Sequence, residues 1–575
     1  MKKSKLTNEQ DRPWIKYYKE NVPANLEYHQ GSMVSYLYQT VQKYPSNIAY
    51  EFFKTTCTYK DMYHKIEEVA KSLKAQGIKE GDRVSICMPN SPQAILTFYA
   101  VNMIGAVASM IHPLSAEKEI EFYINEAKST FLLTLDLTYE KVHNILDKTN
   151  LKKVVIASIS DELGPIKSFL MKFAFLGKIP KIQHTEDIMT WKEFLNYGYD
   201  YDGKYECPKS ANDPAVILYS GGTTGDPKGI LLSNLNFNAL AYQCALTCDP
   251  ASPGHSVLSI LPIFHGFGLG VCVHTPLTWG MKCILIPSFK PKDFPDLIKK
   301  HKPNFVAAVP GLYNTLTKCS LGKKDLECIK CAVSGGDFMT SETKKSIDNL
   351  LKEHGSDAEV RIGYGLTESS AATCLTPSGF YKENSIGIPM PDTYFKIVKI
   401  GTHDKAEINT NGELCISGPT VMMGYLNNLK ETMQTLRVHE DEKVWLHTGD
   451  IASMDEEGVV YFKQRLKRVI ISNGYNLYPS YIENVLNEHP KVLTSTVIGI
   501  DHPKKGQVAK AFIVLEKTNE SNSKIEKELR EHCEKHLARY SLPEQYEFRE
   551  SIPTTLVGKI AYSKLISEEK EKIQK

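Results

Sequence analysis

No apolar run in this 575-residue chain is long and uninterrupted enough to read as a membrane span. Two long uncharged stretches are 93–116 and 251–281. The first contains Gln93, Asn102, Gly105 and Pro113, and the second is broken by Pro253, Pro262 and several glycines. A spanning helix wants about 20 predominantly apolar residues without such breaks. Both stretches therefore read as core of a large domain, the first as a buried helix followed by a strand. The N-terminus is charged and polar through Glu20, with no apolar segment of the kind a secretory signal carries. Neither charge sign is in excess. Lys and Arg total 69 against 67 Asp and Glu, a net charge of +2, so no global electrostatic reason exists to expect nucleic acid. Cysteines are scattered and odd in number, 13 in all, and the closest pair, Cys328 and Cys331, has no second pair at zinc-finger spacing. Reduced thiols in a cytoplasmic protein are the expectation. Internal repeats are absent as well.

What is present fits a soluble globular protein, with 42% hydrophobic and 24% charged residues. The length exceeds one ordinary core, so at least two domains are expected. Thr58 opens a helix with Asp61 three residues on, a variant capping box. Met62, Ile66, Val69, Ala70 and Leu73 keep helical spacing until Gly77. A short apolar strand follows at Val84–Met88, then a helix from about Ala94 and another apolar segment near Val107. This alternation predicts α/β architecture. Further strand-then-loop units occur at Val257–Leu261, Ala332–Val333 and Val360–Ile362, each delivering polar residues to a strand end, where open α/β sheets place ligands. After Arg465 the texture changes. Strands are predicted at Val469–Ser472, Thr496–Ile500 and Val508–Leu515, and helices at Tyr481–Glu488 and Lys524–Leu537. The predicted division is residues 1–465 and a smaller α+β domain, 466–575.

The most informative motif is Tyr219–Gly229, YSGGTTGDPKG, which follows the apolar run Ala215–Leu218. Gly221, Gly222 and Gly225 let the backbone turn sharply near a ligand, and Ser220, Thr223, Thr224 and Lys228 offer hydroxyls and a positive charge to a polyphosphate. A Walker loop needs Gly-Lys followed by Ser or Thr; here Gly229 follows, so this is a different phosphate loop. Five further segments accompany it: Ser334-Gly335-Gly336-Asp337, Tyr364-Gly365-Leu366-Thr367-Glu368, Trp445–Asp450, Arg465–Lys467 with Gly474, and Pro553–Lys559. Each alone is a turn or a cap. In this order, over nearly the whole chain, they resemble the adenylate-forming superfamily of acyl- and aryl-CoA ligases, luciferases and peptide-synthetase adenylation domains.

The resemblance implies a large multi-subdomain N-terminal adenylation domain joined by a hinge to the smaller domain. It implies ATP, Mg2+ and coenzyme A as ligands, with the loop from Ser220 to Lys228 on the phosphates. Gly335 and Gly336 would flank adenine and line the acyl pocket. Tyr364, followed by Gly365, would lie against adenine, Thr367 on the α-phosphate and Glu368 on Mg2+. Asp450 would hold the ribose, Arg465 the ribose or phosphates, Lys467 would be the hinge, and Gly474 would pass the pantetheine arm. His265 and Gly266 would wall the acyl tunnel, and Lys559 would be the catalytic lysine. Departures are Gly221 for a common Ser, Gln464 where Gly or Asp is common, Tyr481 for a common Glu, and Tyr562 for a common Arg.

The implied activity is adenylation of a carboxylic acid, then thioester formation. Gly266, Gly268 and Gly270 read as leaving space, and the basic, apolar segment 165–182 reads either as an interfacial helix or as a surface helix covering core. Both lean toward a medium- or long-chain fatty acid. An aryl acid, a free-standing acyl carrier protein as acceptor, peripheral contact with the inner face of the membrane, and a non-catalytic nucleotide binder stand as alternatives.

Overall fold

Thr58 does cap the helix Tyr59–Ala75: its hydroxyl accepts from Asp61 N at 3.1 Å and donates to Asp61 Oδ2 at 2.7 Å. Such local agreements recur through the computed structural model, which describes residues 12–174, 180–183, 185–220, 227–248, 251–472, 475–516, 520–554 and 560–574. The described chain forms two compact units. One comprises the residues up to Ser220, Pro227–Phe395 and Ile416–Leu446; the other comprises Lys396–Cys415 and His447–Lys575.

The first unit holds two large sheets. In the eight-stranded sheet the order is Gly424–Tyr425, Lys228–Ser233, Pro214–Ser220, Val107–Met110, Arg83–Cys87, Phe131–Leu135, Lys153–Ala157, Ile188–Thr190. Its middle is parallel, and Lys228–Ser233 returns antiparallel on Pro214–Ser220. The nine-stranded sheet runs Ile388–Pro389, Cys374–Leu375, Val360–Tyr364, Cys331–Ser334, Phe305–Ala308, Ser256–Ser259, Lys282–Leu285, Ile48–Phe52, Thr55–Thr58. The predicted α/β class is what is observed. The uncharged stretch 93–116 is the helix Pro92–Met103, buried at every position, and the strand Val107–Met110. A strand period or a 3.6-residue period does not describe Phe267–His274, which is π-helix.

In the second unit, Ile470–Ser472, Gly506–Leu515 and Val492–His502 form a sheet with Tyr475–Leu477 at one edge and Gln545–Phe548 parallel to Gly506–Leu515. Its core packs Ile470, Leu477, Ile482 and Leu486 against Ile513, Ile525, Leu529 and Cys533. Ile482 and Leu486 come from the helix Pro479–Asn487, Ile525, Leu529 and Cys533 from Asn522–His536. All 13 cysteines are free.

One buried polar knot sits in the first unit's core. His274 is fully buried, with Nδ1 2.9 Å from the Tyr99 hydroxyl and Nε2 3.1 Å from Asn238 Oδ1. Burial pushes its pKa down to about 3, and burial likewise holds His112 at about 4. Both lie below the unfolded value of about 6.5. Stability from these neutral imidazoles is complete above that value and is lost as the pH falls through the window from 6.5 toward 4. Denaturant titrations of His274→Gln at several pH values should therefore show lower stability than the parent at neutral pH and a shallower acid loss, by about one proton of linkage slope. An unchanged slope would show that His274 takes up no proton on unfolding.

Candidate active site

Two glycines in the first unit allow backbone segments to touch. A Cβ added at Gly266 would fall 1.9 Å from Ser370 O, and one at Gly365 would fall 1.4 Å from Ala371 O. Both oxygens belong to one tight turn. Ala371 N donates to Ser369 O at 2.8 Å across Ser370, which has φ 68° and ψ −48° and is fully buried. This γ-turn geometry is strained for a residue with a side chain. Ser370 is held there by its own N–H on Thr367 O at 3.0 Å and its hydroxyl on Thr420 O at 2.9 Å. The segment Tyr364–Glu368 is thereby fixed against the segment that carries His265 and Gly266.

The other glycine pair joins the same place. Gly335 ends the strand Cys331–Ser334; a Cβ there would lie 3.3 Å from the Phe267 ring and 3.2 Å from Gly363 O. Gly336 has φ 83° and is exposed. Gly363 precedes Tyr364, whose ring meets Phe395 edge-on at 6.4 Å between centroids. His265 is half-buried and its Nδ1 accepts from Phe267 N at 3.3 Å. Gly335, Gly363, Tyr364, Gly365, Thr367, Glu368, His265 and Gly266 therefore meet at the ends of two neighbouring parallel strands and the π-helix start. One expectation is corrected. The glycines after His265 do not leave space: a Cβ at Gly268 would fall 2.0 Å from Pro262 O, and at Gly270 2.4 Å from Leu240 Cδ2. They admit close packing of the π-helix instead.

Ser220 and Lys228 face each other as an antiparallel pair and close the phosphate-loop motif. Gly221, Gly222, Thr223, Thr224 and Gly225, together with Gly474 and Lys559, lie outside the described residues. Lys228 Nζ sits 5.1 Å from the centroid of the Tyr425 ring, and the Tyr425 hydroxyl donates to Glu368 Oε1 at 3.0 Å. One tyrosine thus carries the lysine on its face and the carboxylate at its tip. Burial first, then the Glu368 charge, push this phenol well above its usual range, so it stays a donor. Lys228 also pairs with Glu431, the two side chains being about one-third exposed. Tyr425 and Glu431 were not found from sequence; the only signal was an aromatic residue after Gly424, in what is a two-residue edge strand.

In the second unit, Asp450 is 1% exposed and its Oδ1 lies 2.9 Å from Arg465 Nε, the two residues being opposed across a strand pair. Behind it stands a brace that sequence reasoning also missed. Glu413 Oε2 accepts from His447 Nδ1 at 2.9 Å, and Glu413 Oε1 accepts from Gly449 N at 3.1 Å. Thr448 Oγ1 donates to Leu414 O at 2.7 Å and accepts from Asp450 N at 3.0 Å. Glu413, Cys415 and His447 are buried with ligand atoms within 4.8 Å of one another, a grouping that could hold a metal. The direct His447–Glu413 bond and the Gly449 N–H already satisfy the carboxylate, so the group reads as support for Asp450.

Lys467 lies in the short 3-10 turn Leu466–Arg468, directly after Arg465. Next to it, Arg468 bonds Glu483 Oε1 at 2.6 Å, and that oxygen also accepts from Val497 N at 2.8 Å and Thr496 Oγ1 at 3.0 Å. Tyr562, standing where the resembled family commonly has arginine, lies under the Arg468 guanidinium at 4.0 Å.

Known proteins are similar to this chain over nearly its whole length. The family model described as AMP-binding enzyme matches residues 37–426, and that described as AMP-binding enzyme C-terminal domain matches 481–559. A protein of Bacillus subtilis (strain 168) named long-chain-fatty-acid–CoA ligase is 32% identical over 97% of this chain and 98% of its own. A Dictyostelium discoideum protein named probable 4-coumarate–CoA ligase 1 is 31% identical over 86% of this chain and 87% of its own. The crystal structure of an anthranilate CoA ligase in complex with anthranoyl-AMP superposes with a TM-score of 0.82 at 20% identity, covering 96% of this chain and 99% of that one. With both models matched in order and full-length relatives above 30% identity, the chain belongs to the AMP-binding enzyme family.

Proposed function

We propose that this enzyme activates a medium- or long-chain fatty acid with ATP as the acyl-adenylate and then passes the acyl group to coenzyme A. The observation that carries the reading is the Lys228–Tyr425–Glu368 cluster at the mouth of the phosphate-loop motif. It places a cation and a carboxylate on one half-buried phenol, a pairing suited to a metal-bound polyphosphate. The B. subtilis relative, similar over nearly its whole length, carries the corresponding name. An aryl acid is the second reading, favoured by the name of the Dictyostelium relative.

In the first step a carboxylate oxygen attacks the α-phosphorus and the bond to pyrophosphate breaks. Ser220, Thr223, Thr224 and the backbone of Gly221, Gly222 and Gly225 would hold the phosphates, with Lys228 offsetting their charge. Tyr364, Gly335 and Gly336 would bound the adenine, with Gly365 letting the backbone turn beside it. Thr367 would contact the α-phosphate, and Asp450 would accept the ribose hydroxyls with Arg465 alongside. Glu368 fits a magnesium site: its carboxylate is half-buried and fixed at Oε1. When bound, Mg2+ would neutralise phosphate charge and hold the phosphate oxygens. Lys559 would neutralise the charge developing between carboxylate and α-phosphate. In the second step the thiol sulfur attacks the acyl carbonyl and AMP leaves. His265 and Gly266 would wall the acyl chain, Gly474 would pass the pantetheine arm, and Lys467 would be the hinge that withdraws the 466–575 domain from the 1–465 domain between steps.

Acid-dependent ATP–pyrophosphate exchange, run over fatty and aryl acids with coenzyme A or an acyl carrier protein as acceptor, tests substrate and acceptor together. No exchange with any acid would leave a nucleotide binder. Lys559→Ala should abolish exchange while sparing thioester formation from supplied acyl-adenylate; equal loss of both overturns its role. Lys467→Pro should keep exchange and slow the thiol step; normal turnover removes the hinge. Glu431→Gln frees Lys228 from an ion pair about one-third exposed, so the KM for ATP should fall, by up to about five-fold, in line with the ~0.2–1 kcal/mol of such pairs. A rise in KM would show that Glu431 helps hold the nucleotide.

A further inference from the structure

The helix Pro165–Ala174 leaves an apolar face uncovered. Ile166, Phe169 and Leu170 are spaced i, i+3, i+4, so they share one side, and they are 77%, 70% and 62% exposed. Side chains that covered core would be buried, so the surface-helix reading fails for this face. Beside it lies the tip of the hairpin between Ile48–Phe52 and Thr55–Thr58. Lys167 Nζ donates to Phe53 O at 3.0 Å and to Thr55 Oγ1 at 3.2 Å, which ties helix and hairpin together. Phe53 and Lys54 have φ of 47° and 62°, and Phe53 is 42% exposed. Two successive left-handed residues without glycine, one of them aromatic, are costly in a turn. Here that conformation keeps the ring at the surface.

We propose that Phe53, Ile166, Phe169 and Leu170 form a surface that docks on an anionic lipid bilayer. Four large apolar side chains in two adjoining segments are more than scattered surface hydrophobics. Charge selects the occupant. Lys54 and Lys167 flank the patch, and the sequence from 165 to 183 holds four lysines and no acidic residue. The one acidic residue on the adjoining strand tip, Glu51, is engaged by Lys282 at 3.1 Å and His301 at 3.0 Å. An amphipathic segment with lysines beside aromatic and aliphatic side chains lies in the headgroup layer, its apolar side among acyl chains and its ammonium groups on lipid phosphates. Among the described residues no helix is long and apolar enough to cross a membrane, so this contact is peripheral. The inference is independent of which acid the enzyme activates.

Flotation of the full chain with vesicles tests it. Binding should be strong to an equimolar mixture of dioleoylphosphatidylglycerol and dioleoylphosphatidylcholine, weak to dioleoylphosphatidylcholine alone, and reduced by salt. Phe169→Glu with Leu170→Glu should lower the bound fraction about tenfold or more at equal lipid, with an unchanged melting temperature. Phe169→Trp should shift its emission to the blue on adding the anionic vesicles. Pyrophosphate exchange with a short, water-soluble acid should be the same in parent and double variant, which separates this result from any failure of the proposed reaction. The proposal is overturned if the parent does not float with anionic vesicles, if the double variant floats equally, or if the patch instead holds a dimer that the double variant dissociates without any lipid effect.

Discussion

The candidate site in the first unit depends on one steric constraint: two carbonyls of the turn at Ser370 are pressed onto Gly266 and Gly365. Backbone contact this close is available only where no Cβ intervenes. It makes Tyr364–Glu368 and the start of the π-helix a single rigid object, although a hundred residues separate them. The strained backbone of Ser370 persists because Thr367 and Thr420 each supply a hydrogen-bond acceptor for it. Groups proposed to hold adenine, phosphate and acyl chain are therefore positioned by main chain, whose placement varies less than that of long side chains.

Electrostatics are arranged around that frame with few free choices. Burial and the Glu368 carboxylate both push Tyr425 further from ionisation than a free phenol, which is itself neutral at neutral pH. It therefore orients Glu368 by donating a proton, while its ring face attracts Lys228. In the second unit the same logic recurs with different residues. Glu413 fixes His447 and Gly449, Thr448 fixes Asp450, and Asp450 receives Arg465. In each case an acidic group is held by a neighbour that contributes no charge of its own sign.

How far all this was legible depends on the range of the cause. The helix Tyr59–Ala75 was readable because its cap and periodicity are local. The helices Pro479–Asn487 and Asn522–His536 lie within two residues of their expected limits for the same reason. The strand-end motifs at Ser334 and Tyr364 were readable as motifs, but their meeting at Phe267 was not, since it rests on contacts far apart in sequence. Tyr425 and Glu413 escaped because a tyrosine or glutamate in a strand has no local mark of its distant partner. The glycines after His265 were misread as room because composition shows a missing side chain without showing what fills the volume. The exposed face of Pro165–Ala174 was ambiguous for the same reason: an amphipathic pattern does not say whether its apolar side meets protein or solvent.

The pairing of Ser220 with Lys228 has a consequence for how this hairpin can change. Side chains on a strand alternate sides, so parity decides where the ammonium group points. Shifting the return strand by one position would offer Gly229 to Tyr425 and turn the lysine to the opposite surface. Shifts of two would keep the side but carry the charge about 7 Å along the sheet. Lengthening between the two strands is thus tolerable only where this register survives, which makes the hairpin's ladder, rather than the loop's own residues, the element that conserves the position of the cation.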